Sequence, residues 1–115
     1  MIMPSTINAG YAALLLDVPN GFDLSSLCHR PDAVISLRMN MLNETLLRTL
    51  KPRSIVVQLF APKFDVLDVL ERLNGWNYRG RVIMLAPPLP KRDIVLHELR
   101  AHGAPLRIQL LVAPT

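Results

Sequence analysis

The sequence predicts an α/β domain built on a parallel sheet. Three observations predict it: five short apolar runs, stretches of helical period between them, and Pro, Gly or Asn at nearly every boundary. Short continuous apolar runs suit strands buried on both faces, as the crossovers of a parallel sheet require. Strands alternating with helical patterns of ~10–12 residues form βαβ units.

The first run is AALLLDV, Ala12 to Val18, closed by Pro19-Asn20-Gly21. The second is AVISL, Ala33 to Leu37. The crossover between them contains two prolines and a glycine, so it holds at most a two-turn helix, over Leu24 to Cys28. Met41 to Leu50 then places Leu42, Leu46, Leu47 and Leu50 on one face, with Asn40 as N-cap and Lys51-Pro52 as stop. The third run is IVVQLF, Ile55 to Phe60. Phe64, Leu67, Leu70 and Leu73 follow at steps of three, and Asn74-Gly75 supplies a stop. The fourth run is VIML, Val82 to Leu85. Lys91 to His102 carries Val95, Leu96 and Leu99, with Pro90 before it and Gly103 after. The fifth run is IQLLV, Ile108 to Val112.

The chain has 115 residues, which suits a single domain over 1–115, with 1–10 as an extended or flexible lead-in. Half of the residues are hydrophobic but only 5% are aromatic, so the core is aliphatic. The net charge of +4 comes from cations spread along the chain, with no basic arm and no aromatic-interleaved stripe. Nucleic acid is therefore an unlikely partner on this reading. One cysteine, Cys28, forms no internal disulfide, and the histidines form no ligand set with it. The expectation is a reducing cytoplasm, no metal and no cofactor. No run approaches the ~18 apolar residues of a membrane span. Asp65, Asp68 and Glu71 read as a solvated helix face, and no P-loop, GxGxxG or GxSxG is present.

With those elements in place, Ser54 to about Pro114 resembles a response-regulator receiver domain. IVVQLFAPKFDVLDVLERL looks like that family's third strand, loop and third helix, with Pro62 in the loop proline's place. YRGRVIMLAP looks like its turn and fourth strand, HELRAHGAP like the end of its fourth helix, and LLVAP like its fifth strand. The first half of the chain matches only in the order of its elements. The resemblance implies a doubly wound, flavodoxin-like sheet of five strands, here with a short first helix and a missing fifth.

It also implies a chemistry this chain lacks. The family needs an aspartate at the end of the third strand, an acidic pair at the first, a Ser or Thr at the fourth and a Lys at the fifth. The matching positions read Gln58, a lone Asp17, Ala86 and Ala113. An amide neither attacks a phosphoryl donor nor holds Mg²⁺ well. Asp17 is either a residual acidic position or a cap on the turn behind it. The expectation is therefore a degenerate receiver: no enzyme, but a regulatory module of bacterial signalling. It would work as a homodimer or by docking to another signalling protein or output domain. A small-molecule sensor, binding a nucleotide at the carboxyl rim of the sheet, is the alternative.

Two contact regions follow. Trp76 and Tyr78, with Arg79 and Arg81, are either a lid over a helix end or a partner contact. The second region is the sheet face that the family's first and fifth helices cover. With those helices short or missing, Leu14, Leu16, Val57, Leu59, Ile108 and Leu110 are the expected contributors to an exposed apolar patch. The opposing expectation is that residues 1–10 and 19–32 fold back over that face.

Overall fold

The structure, a computed structural model, describes residues 13–18, 34–60 and 64–112. Strands β1 (Ala13–Leu16), β2 (Val34–Leu37), β3 (Ser54–Gln58), β4 (Arg81–Ala86) and β5 (Arg107–Val112) form one sheet in the order β2-β1-β3-β4-β5. Every neighbouring pair is parallel. This is the doubly wound α/β arrangement the apolar runs predict, with its switch point between β1 and β3. A 3₁₀ turn (Met39–Met41) and helices α1 (Glu44–Leu50), α2 (Val66–Gly75) and α3 (Arg92–Gly103) complete the described elements. The expected helix over 24–28, the lead-in over 1–10 and Ala113 lie outside the described residues.

Alternation along each strand divides the sheet into two faces. Leu14 and Leu16, Ile55 and Val57, Val82 and Met84, Ile108 and Leu110 point to one face. There they pack with Leu47 and Leu50 of α1, Val69, Leu70 and Leu73 of α2, and Leu99 of α3. All three helices therefore cover this face, as right-handed crossovers require. Leu15, Val56 and Ile83 form a smaller cluster on the other face, with Val18 and the partly buried Val34, Leu85 and Leu111.

This parity corrects the expected contact patch. Leu14, Leu16 and Val57 are 0% exposed, Ile108 2%, Leu110 6% and Leu59 7%, all inside the helix-covered core. They are the foundation of the fold. The other face is not an open patch either, since Leu15, Val56 and Ile83 are buried in the single chain.

Two helix starts shift by local chemistry. Leu42 does not begin a helix, because Met39–Met41 closes as a 3₁₀ turn and the chain then extends. Asn43, not Asn40, caps α1: its Oδ1 accepts the Leu46 amide at 2.8 Å. Asp65 caps α2 by accepting from the Leu67 amide at 2.9 Å. Gly75, expected as the stop, lies inside α2. The stop is Asn77, at φ 58°, with Asn77 N–H donating to the Asn74 carbonyl and Tyr78 N–H to the Leu73 carbonyl. That is the paired Schellman pattern, with Asn taking the left-handed place usually held by Gly.

Candidate functional site at the carboxyl rim of the sheet

The strand register brings Asp17, Gln58 and Ala86 to the carboxyl rim of the sheet, just past β1 and at the ends of β3 and β4. Each polar group there is engaged by its own backbone. The Gln58 side chain donates from Nε2 to the Asp17 carbonyl at 2.9 Å, bridging the switch point between β3 and β1. The Asp17 carboxylate accepts the Met39 amide at 2.9 Å, and the Asp17 amide donates to the Leu37 carbonyl at 2.9 Å. Asp17 sits at φ 53°, a left-handed conformation that Asp tolerates better than most residues. It thus latches the end of β1 to the segment leaving β2. Its sequence reading as a cap on Pro19-Asn20-Gly21 falls on residues outside the described ones. Ala86 is buried and brings no hydroxyl.

At these three positions the rim offers an amide, a hydrogen-bonded carboxylate and a methyl group. No group of three or more His, Cys, Asp or Glu is placed to hold a metal among the described residues. Beside Asp17 a groove of about 480 Å³ opens toward the helix face, lined by Arg38, Phe64, Asp65, Asp68 and Arg72 among others. It mixes cations and carboxylates, a lining the apolar pattern of the sequence does not reveal.

The rim also carries apolar surface that sequence reasoning missed. Met41, Phe60 and Ile94 are 55%, 63% and 54% exposed, the large hydrophobic side chains most open to solvent among the described residues. They follow β2, β3 and β4 in turn, so all three lie toward one end of the sheet. The available signal was the polar Gln58: β3 ends there, which leaves Phe60 beyond the strand.

At the opposite end, the aromatic pair turns inward. The Tyr78 hydroxyl donates to the Pro52 carbonyl at 3.0 Å and reaches the Arg81 carbonyl at 3.4 Å. Burial pushes its phenol well above the ordinary range, against the lowering pull of Arg107 and Arg81, so it remains a donor. Trp76 is half-buried against the core. Both rings thus pack partly against the fold while keeping part of their surface open. Arg79 stays exposed, and Arg81 donates from Nε to the buried Ser54 hydroxyl at 3.2 Å.

No family model and no curated protein matches the chain. Among the described residues no helix is long and apolar enough to cross a membrane.

Proposed function

We propose that this chain is a receiver-like regulatory module of bacterial signalling that takes no phosphoryl group. It acts by docking, through the carboxyl rim of its sheet, onto another signalling protein or an output domain. The observation that carries the reading is the exposure of Met41, Phe60 and Ile94 along that rim. Exposed apolar side chains grouped at one end of a domain mark a contact surface more often than side chains scattered singly. Gln58 supports the non-phosphorylated half of the reading, because its amide is held on the Asp17 carbonyl where a reactive carboxylate would be needed.

Incubation with acetyl phosphate and Mg²⁺ is expected to leave the protein unlabelled. Crosslinking in cell extract is expected to yield a partner that Phe60→Glu combined with Met41→Glu loses and Arg48→Ala keeps. A hydroxylamine-sensitive phosphoprotein, or a partner set indifferent to the rim substitutions, overturns the proposal.

The groove beside Asp17 favours a second reading, a small-ligand sensor, because Arg38 and Arg72 face it together with Asp65 and Asp68. Its volume lies within the range of about 300–1,000 Å³ common for ligand sites. Thermal stabilisation by a nucleotide or cyclic dinucleotide that Arg72→Ala abolishes, with Phe60→Glu unaffected, selects this reading over docking.

A further inference from the structure

Cations that are scattered in the sequence meet at the amino-terminal edge of the sheet. Lys51 and Arg53 precede β3, Arg79 precedes β4, Arg81 opens β4 and Arg107 opens β5. Strand register sets Ser54, Arg81 and Arg107 side by side. The Arg81 amide donates to the Arg53 carbonyl at 3.0 Å, and the Arg107 guanidinium donates to the Arg79 carbonyl at 3.2 Å. Three neighbouring strands span only about 10 Å, so five cations share one narrow edge.

No described carboxylate pairs with them. Lys51, Arg53, Arg79 and Arg107 are exposed, and Arg81 is half-buried. The ion pairs among the described residues are Arg48 with Glu44 and His102 with Glu71, neither of which uses these five. Many of the described carboxylates lie toward the other end: Asp17 follows β1, Asp65 and Asp68 open α2, and Asp93 and Glu44 open α3 and α1. Beside the cations lies a cleft of about 400 Å³, lined by Arg79, Arg107, Asn74 and Asn77 among others.

We infer that this edge binds the phosphate backbone of a nucleic acid without reading its sequence. Guanidinium forks match phosphate oxygens in geometry as well as charge. The exposed apolar side chains Met41, Phe60 and Ile94 lie at the far end of the sheet. Among the described residues the amino-terminal edge therefore offers charge without a large exposed hydrophobic side chain, which suits a phosphodiester chain better than a protein surface. The Tyr78 hydroxyl is engaged by the Pro52 carbonyl and Trp76 packs partly against the core, so the contacts expected at this edge are to the phosphate backbone.

Fluorescence anisotropy with a labelled oligonucleotide of mixed sequence, as single strand and as duplex, tests the inference over a salt series. Binding of either form is expected, with a log–log salt slope of about −3 to −5 if all five cations engage. Arg79→Glu with Arg107→Glu is expected to weaken binding by at least about tenfold, whereas Lys91→Glu at the opposite rim changes it by less than about twofold. Thermal unfolding confirms that the double variant is folded. Should it fail to fold, Arg79→Gln with Arg107→Gln removes the charges more gently and is expected to weaken binding in the same direction. Absence of binding at low salt, loss of affinity equal in the Lys91 variant, or equal affinity for a glutamate-rich peptide of matched charge overturns the inference. None of these readouts uses Met41 or Phe60, so the outcome leaves the docking proposal separately testable.

Discussion

At Gln58 a single amide decides what the end of β3 does. Its nitrogen donates to the Asp17 carbonyl, and the bond ties the two strands flanking the switch point. A carboxylate of the same length reverses the hydrogen-bonding sense and sets oxygen against oxygen. Gln58→Glu is therefore expected to cost about 1–3 kcal/mol at neutral pH, as measured by urea unfolding. Acidification is expected to narrow the gap, because a protonated carboxyl group donates again. Equal stability of the two proteins at neutral pH removes the structural role assigned to this residue. The polar position at the end of an apolar run was legible in the sequence. Its partner was not, since the acceptor is a backbone atom 41 residues away.

At the scale of elements, two glycines mark where backbone and side chains come closest. A methyl group added at Gly80 would stand 2.5 Å from the Arg53 carbonyl oxygen, a backbone atom held by the Arg81 amide, and would also collide with the Tyr78 ring. One added at Gly103 would meet Ile108 Cδ1 at 2.7 Å and Leu70 Cδ1 at 3.2 Å, the ends of side chains that have some room to turn. Gly80→Ala is thus expected to be the costlier change, by more than about 1 kcal/mol, because a hydrogen-bonded carbonyl yields less readily than a methyl group. Thermal unfolding of both variants checks the order, and a Gly103 variant that is less stable than the Gly80 variant refutes it. Elsewhere α3 protects the open edge of β5: Arg92 donates to the Leu110 carbonyl at 3.1 Å and Arg100 to the Ile108 carbonyl at 3.3 Å. Such capping blunts an edge that could otherwise recruit another strand.

The whole molecule has two dissimilar ends. Apolar side chains, a mixed-charge groove and several helix-opening carboxylates occupy the carboxyl rim, and cations that pair with no described carboxylate occupy the amino-terminal edge. The sheet between them is buried on both faces, with Val56 at 0% and Ile83 at 2% exposure on the face away from the three helices. The apolar face that would have driven self-association is thereby already removed from water. Light scattering during gel filtration is expected to give the mass of one chain at tens of micromolar protein, in line with docking to a different protein. A stable dimer that survives substitution of Phe60 and Met41 requires another interface and defeats this expectation.

By itself, the sequence determined the α/β class, the five strands to within a residue or two at most ends, and the lack of a carboxylate at Gln58. Apolar runs, turn residues and side-chain identity are local properties, readable without knowing what lies across the sheet. Tertiary structure decided what local pattern leaves open. In strands that are apolar at almost every position, alternation carries no mark of which face the helices take, so Leu14, Leu16, Val57, Ile108 and Leu110 were equally suited to either. Only the right-handed path of three crossovers placed them inward. The same holds for Lys51, Arg53, Arg79, Arg81 and Arg107. They are distant in sequence, and they share an edge because parallel strands all begin at the same end of the sheet.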